Sequence, residues 1–351
     1  MDSSLPSSCE VLIVGAGLAG AAAAVALSQH YDVVVIDANG PVSGASGAAA
    51  GLVNPFMGQK AKASWRHEEA LDAARQLALT AGVSFHATGI VRPAQSLAQA
   101  EIFQERANGH SGLAWLSAGA SGERFPLVRA PHGALWVAQG GWVDLPSLVE
   151  GAIRESGCRT VGARLVSADL HFAITDTGQI AFEHLVLAPG YGCRQLALTS
   201  SLPLHPVKGQ VIRVSAPDDL QPPHPPVAGR GYAVPTPDGV LIGSTFEHAF
   251  EHLDPDPAAD PELLIKAERL VPALGSAEVM ERRAGVRLTV PTSVSPRRLP
   301  LAGRLPGRTN VWLLAGFGAK GLMTAPLIAS WLPDALTGNQ TLPAELSVPT
   351  A

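Results

Sequence analysis

Only three cysteines occur in the sequence, Cys9, Cys158 and Cys193, far apart and odd in number. They offer neither a disulfide framework nor the paired spacing of a zinc site, so a reduced compartment and no metal centre are expected. Charge is also sparse: 16% of residues are charged, and the net charge of −5 supplies no overall basic field for nucleic acid. A local basic patch is compatible with that balance. No apolar run reaches the roughly 18 residues that cross a bilayer. The opening segment MDSSLPSSCE lacks the basic-then-apolar layout of a signal peptide, so a cytoplasmic location is expected. Internal repeats and low-complexity tracts are missing as well. What is plentiful is apolar residues, 46% of 351. That is enough for sizeable cores and, at this length, for two domains.

The chain begins with a βαβ pattern. Val11–Val14 is a short apolar run, LAGAAAAVALSQ is built of small helix formers, and DVVVID is a second buried strand ending in an acid. Between the first strand and the helix, Gly15, Gly17 and Gly20 fit GxGxxG, with Ala16, Leu18 and Ala19 between them. Gly15 permits the tight turn, Gly17 lets backbone approach a pyrophosphate, and Gly20 lets helix and strand pack closely. Free N–H groups at the helix start favour phosphate. Asp37, about 20 positions on, stands where a carboxylate binds ribose hydroxyls. Strand, turn, helix, strand and acid coincide, so a dinucleotide site is expected. The acid argues against a 2′-phosphate, hence against NADP, and leaves NAD and FAD open.

Further along, the Gly/Ala/Ser-rich segment 39–63 is long enough to be a binding loop. SWRHEEALDAARQLALTAG shows helical spacing, and from about 83 to 141 the pattern loosens into short strand-like runs. GGWVDLPSLVEGAIRESG reads as a helix with Pro146 near its first turn. FEHLVLAPGYG and PVKGQVIRVSAP read as strands, and APDDLQPPHPPVAGRG as a proline-rich surface connection. GYAVPTPDGVLIGSTFE is a hairpin turning at Pro237-Asp238-Gly239. In DPELLIKAERLVPALG, Asp260 is expected to cap a helix whose first position is Pro261. NVWLLAGFGAKGLMTAPLIASWL reads as a buried strand, a glycine turn and a helix. The fold class expected is therefore α/β, with a Rossmann-like nucleotide domain (1–82, 141–207 and 288–351). A β-rich α+β substrate domain is inserted in it (83–140 and 208–287).

The second glycine turn, Gly316 to Gly321, aims another helix start at the same region. A flavin, whose reduced ring carries negative charge on its pyrimidine side, has a use for that positive helix end. An ordinary strand-to-helix turn is the alternative.

In order along nearly the whole chain come VLIVGAGLAG with Asp37, GASGAAAGLVNP, GGWVDLPSLVEGA, LVLAPGYG, PVKGQV, YAVPTPDGVLIGSTFE, RAGVRLTVP, RLPLAGRLPG and LLAGFGAKGLMTAP. Together these pieces resemble the FAD-dependent D-amino acid oxidase superfamily, which includes glycine and sarcosine oxidases. GASGAAAGLVNP, RLPLAG and GFGAKGLMTAP are similar to the oxidoreductase domain of the bifunctional enzyme that modifies the tRNA wobble uridine. A methyltransferase half like that enzyme's is not expected in this chain.

The resemblance implies noncovalent FAD. Gly15–Gly20, Asp37 and Ala38 would hold its ADP part. Gly44, Ala45, Ser46, Ala49, Ala50, Gly51 and Leu52 would line the pyrophosphate and flavin. Ala188, Pro189 and Gly190 stand beside the cofactor where the family usually has Ala-Thr-Gly, so one hydroxyl and one N–H contact are lost at Pro189. Gly316, Gly318, Ala319, Lys320, Gly321 and Leu322 would wrap the pyrimidine edge. Arg287, in GVRLTV, would clamp a substrate carboxylate with two parallel hydrogen bonds. Tyr232 would help hold the same group, with Lys320 and Lys208 as weaker second cations. Leu241 lies near the point where some members place a lysine that speeds the reaction with oxygen, so either an oxidase or a dehydrogenase is implied.

Three readings result. The first is an FAD-dependent oxidoreductase acting on the C–N bond of a small amino acid or secondary amine, with oxygen or another acceptor. The second is the same chemistry on a carboxymethylaminomethyl wobble uridine, which makes tRNA a possible partner. The third is a noncatalytic flavoprotein. His248 and His252, four apart in EHAFEH, suggest a metal pair on a helix, but solvated surface residues are the plainer expectation.

Overall fold

The structure, a computed structural model, describes residues 4–349. The outermost positions of the expected nucleotide domain, 1–3 and 350–351, lie outside the described residues. Two eight-stranded sheets organise the chain.

In the first sheet Ser8–Val14 lies at the centre. Val33–Asp37 and then Arg159–Gly162 follow on one side, and Gly178–Leu187 and Val311–Ala315 on the other, all parallel. Val11, Leu12 and Ile13 have no exposed surface, which is what burial on both faces demands of a parallel strand. Leu18–Leu27 packs over the sheet between Leu145–Ser156 and Gly321–Ser330. Its four consecutive alanines, Ala21–Ala24, are buried and keep that contact close. A Cβ on Gly20 would come within 1.8 Å of the Gly15 carbonyl oxygen, so the third motif glycine is required for helix-on-strand packing.

The second sheet runs Val279–Thr289, His205–Val214, Gly239–Gly243, Tyr232–Thr236, Val227–Ala228, Ile90–Pro93, Ala134–Val137, Leu113–Leu116. Every pair is antiparallel except Val227–Ala228 with Ile90–Pro93. Alternation sorts its two faces. Val91, Ile212, Val227, Ala233 and Ile242 pack under the helix Asp260–Glu268, while Val211, Val234 and Leu241 turn toward Ala50 and Trp142. The strands His205–Val214 and Val279–Thr289 cross the expected domain limits at 207 and 287. We propose the two sheets as the cores of two domains.

Several local expectations are corrected. The loosely patterned stretch 83–141 holds two helices, Leu97–Gly109 and Ala118–Arg124, with Ser96 and Ser117 accepting from the N–H groups of Gln99 and Ala120 at 3.2 Å. The first of them buries only Ala100 and Phe103, too narrow a stripe to register as helical periodicity. Asp260 is the first helical residue, not the cap; its carboxylate instead takes Nε of Arg282 at 2.9 Å. The proline-rich connection supplies an interior strand, Val227–Ala228. Segment 39–63 is not plain loop, since it contains the short helix Ala45–Ala48 and three two-residue strands. His248 and His252 lie outside any helix, and His248 Nδ1 sits 2.9 Å from Nε2 of His205. No helix among the described residues is long and apolar enough to cross a membrane.

Candidate cofactor and substrate cavity

A cavity of about 1740 Å³ lies between the carboxyl ends of the parallel strands and one face of the second sheet. It exceeds the roughly 300–1,000 Å³ of an ordinary single-ligand pocket. A large dinucleotide and a small substrate therefore fit together. Its position at the carboxyl strand ends is the one the doubly wound architecture favours for ligands.

One end is made of backbone and small side chains. Gly15, Gly17, Leu18, Ala19, Asp37 and Ala38 line it, as do Gly44, Ala45, Ser46, Ala49, Ala50, Gly51 and Leu52. Gly15 has φ +105°, a conformation that L side chains rarely adopt, and a Cβ there would come within 2.3 Å of the Ala188 carbonyl oxygen. Gly17 opens on the cavity, where a Cβ would meet only Ser46 Oγ, at 3.3 Å. That is the close approach a pyrophosphate requires. Ser46 Oγ accepts from Leu18 N–H at 3.0 Å, tying the binding loop to the helix start. Asp37 Oδ2 accepts from Ala16 N–H at 2.8 Å, which fixes the carboxylate at the strand end. Ala188, Pro189 and Gly190 form one wall, and Gly316, Gly318, Ala319, Gly321 and Leu322 bring the second turn and its helix start to the same space.

Three expected cofactor residues do not line the cavity. Ala16 and Gly20 act from behind, through the Asp37 hydrogen bond and the helix-to-strand contact. Lys320 turns away, and its ammonium donates to the Arg297 carbonyl at 2.7 Å. Lys208 is also withdrawn: it is 2% exposed and donates to the Asp254 carbonyl at 2.7 Å. Neither lysine serves as a second cation facing the cavity.

The other end is made of larger side chains. Arg287 is half-buried and lines the cavity; its guanidinium lies 4.9 Å from the Phe246 ring centroid and 3.4 Å from the Thr245 carbonyl oxygen. Among the described residues it has no carboxylate partner. Burial pulls its pKa below the usual arginine value, and Tyr232 opposes that shift. Tyr232 faces the same space, and loss of solvent pushes its hydroxyl up to about 12, Arg287 again opposing. The hydroxyl has no hydrogen-bond partner among the described residues. Gly243 makes room for the ring, because a Cβ there would fall 2.2 Å from the hydroxyl oxygen. Leu241 is 6% exposed, among Val211, Val234 and Trp142.

Sequence reasoning missed Arg92, Arg230, Phe246, Lys266 and Arg269, all of which line the cavity. Phe246 is 59% exposed at its mouth, and Lys266 donates to the Ser244 carbonyl at 2.8 Å. A signal existed for Arg92 alone, as a single charge inside the apolar run GIVRP.

A family model described as FAD dependent oxidoreductase matches residues 10–335. The chain belongs to that family. FAD is its cofactor, and the glycine-lined end of the cavity satisfies the steric demands of a dinucleotide. The chain is 32% identical over 348 residues to the tRNA 5-methylaminomethyl-2-thiouridine biosynthesis bifunctional protein MnmC of Maricaulis maris, with 94% of this chain covered. It spans about half the length of that relative, 52%. It is 29% identical to the glycine oxidase of Pseudomonas putida, over 95% of this chain and 96% of that one. The crystal structure of glycine oxidase from Geobacillus kaustophilus shares the fold, with a TM-score of 0.86, 24% identity and coverage of 99% and 100%. As an FAD dependent oxidoreductase, the chain places its two glycine turns and its arginine–tyrosine pair around a single space.

Proposed function

We propose that this protein oxidises the C–N bond of a small amino acid or secondary amine bearing a carboxylate. The observation that carries the reading is Arg287. It is a half-buried guanidinium with no acid partner among the described residues, beside an unpartnered phenol, in the cavity that both glycine turns line. A planar guanidinium receives a carboxylate through two parallel hydrogen bonds. With its pKa near 12, the Tyr232 hydroxyl stays protonated and donates to the same group at any ordinary pH. The contacts of Arg287 with Phe246 and the Thr245 carbonyl hold the guanidinium in place before substrate arrives.

Bound FAD supplies the hydride-accepting chemistry. The protein's share is orientation: Arg287 and Tyr232 fix the carboxylate, so the neighbouring carbon is presented in one pose. Its C–H bond breaks with the electron pair, the neutral nitrogen's lone pair forms C=N, and water hydrolyses the imine to an oxo acid and a free amine. No acid–base pair is required of the side chains. We propose that FAD is held noncovalently through the residues lining the glycine end. Leu241 puts an apolar group near the point where a lysine would speed reaction with oxygen, which supports a different electron acceptor.

A second reading, a carboxymethylaminomethyl uridine in tRNA, is favoured by the relatives of the bifunctional type. Arg230 and Arg269 add to it, being exposed at the cavity and without acid partners among the described residues. An anaerobic screen of amino acids and N-alkylglycines for loss of flavin colour tests the first reading. Salt-dependent binding of tRNA tests the second.

A further inference from the structure

Arg92 is 4% exposed, yet it lines the cavity. Its Nη1 donates to the Phe56 carbonyl at 2.6 Å and its Nη2 to the Gly58 carbonyl at 2.5 Å, and the guanidinium lies 5.2 Å from the Phe103 ring centroid. No carboxylate among the described residues pairs with it. A buried charge without a counter-ion is costly, and breaking or omitting its partner is where most of that cost arises. Two carbonyls share out two of its five N–H groups but neutralise nothing.

Sheet register shows what Arg92 shares with the carboxylate clamp. Tyr232 pairs with Ala228, and Val227 pairs with Val91, so Arg92 stands beside Ala228 on the next strand. In the other direction Tyr232 pairs with Gly243, Gly243 with Val211, and Val211 with Arg283. Arg287 has the same alternation as Arg283. Arg287, Tyr232 and Arg92 therefore project from one face of one sheet. The residues directly flanking Tyr232 on that row are small: Gly243 lies under the Tyr232 ring and hydroxyl, and Ala228, on the side toward Arg92, lines the cavity. Arg92 lies two strand spacings from Tyr232, roughly 10 Å.

Resting on the amine-oxidising reading above, we propose that Arg92 binds a second carboxylate of the substrate, carried on an extended arm of the amine nitrogen. The substrate class is then an N-(ω-carboxyalkyl) amino acid. Its α-carboxylate goes to Arg287 and Tyr232, and its remote carboxylate to Arg92. A one-methylene arm is too short for the interval, and a bare alkyl arm leaves the guanidinium uncompensated.

The test uses the FAD-loaded protein and N-(ω-carboxyalkyl)glycines of increasing arm length, each against the N-alkylglycine of equal length. Wild type is expected to favour the diacid at one long arm length by about 10–100-fold in kcat/KM, mostly through KM, as for a hydrogen bond to a charged group. Arg92→Gln, whose amide still donates to carbonyls, should bring that ratio to about one, and Arg92→Lys should restore part of it. Equal rates for diacid and alkyl substrates at every length in wild type would overturn the proposal. So would a ratio unchanged in Arg92→Gln, which would make Arg92 a brace for the 56–58 turn. Should Arg92→Gln not fold, titration of the wild-type flavin spectrum with straight-chain dicarboxylates decides. They must bind more tightly than matched monocarboxylates, with a margin that shrinks in salt; equal binding overturns the idea. If no N-alkylglycine reduces the flavin, the amine-oxidising reading fails separately.

Discussion

The two ends of the one cavity are built from opposite materials. The end proposed for the nucleotide is lined by backbone and small side chains: glycines at 15, 17, 316 and 318, alanines at 45, 49 and 50, and a single fixed carboxylate, Asp37. The end proposed for the substrate is lined by larger side chains: Arg287, Tyr232, Phe246 and Arg92, with glycine and alanine serving as clearance. Backbone sites tolerate no added atom, because the ligand lies against the chain itself. Side-chain sites lose only what the altered group contributed. Substitutions at the first end should therefore act all-or-none on FAD, and those at the second should be graded and selective for substrate.

The largest effect expected is at Gly17. Gly17→Val fills the opening beside Ser46 Oγ, where a Cβ alone already comes to 3.3 Å. The variant should fold and purify colourless, with FAD content near zero. Normal flavin content would show that this turn is not the phosphate site.

Arg287→Ala should keep its FAD and lose substrate use. Removing a charge-assisted pair from a partly dry pocket costs roughly 2–5 kcal/mol, about 30-fold to several thousand-fold in kcat/KM. Arg287→Lys should recover only part, since an ammonium cannot reproduce the two-pronged geometry. The loss should be specific to acids. If amides and esters suffer equally, the clamp lies elsewhere.

A smaller effect is expected from Tyr232→Phe, about 2–10-fold in KM, the worth of one ordinary hydrogen bond. Its pH signature is sharper. Loss of solvent raises the folded pKa from the ordinary tyrosine value of 10.0 to about 12, so the neutral phenol is favoured in the fold. The donor should stay intact while pH rises past 10, and wild-type KM should show no phenolic titration there. The corresponding stability contribution is full below 10 and is lost as pH rises toward 12. A KM that rises with an apparent pKa near 10 would place the hydroxyl in water instead.

The least effect is expected from thiol reagents. Burial pushes the thiols of Cys9 and Cys193 up to about 12, leaving almost no thiolate at neutral pH. Labelling of the folded flavoprotein should leave both unmodified with activity retained. Rapid modification of either would contradict their burial.

The same contrast explains what the sequence made legible. Gly15, Gly17, Gly20 and Asp37 fall within one short βαβ segment, where steric demands force glycine at fixed spacing, so the motif can be read without a structure. Arg287 and Tyr232 were reached only through family resemblance. Arg92 was not reached at all, because only the strand order of the second sheet brings it to the face of Tyr232 and Arg287; Phe246 and Lys266 were missed because they come to the cavity from a connecting segment and from the helix Asp260–Glu268. The helices Leu97–Gly109 and Ala118–Arg124 escaped notice for a related reason: each is a thin cover with little apolar surface of its own. Lys320 shows the converse. It sits inside a motif that reaches the cavity, yet its side chain binds the Arg297 carbonyl and points elsewhere.

The central claim, that one cavity seats FAD at its backbone end and a carboxylate-bearing amine at its side-chain end, is tested most directly by anaerobic mixing. The yellow protein is combined with an N-alkylglycine and, separately, with its amide, and flavin absorbance is followed. The acid should bleach the flavin at least about 30-fold more efficiently than the amide, the lower bound set by the arginine pair. Intact FAD should be released on denaturation. Equal bleaching by acid and amide, or a colourless protein that takes up NAD and not FAD, would contradict it.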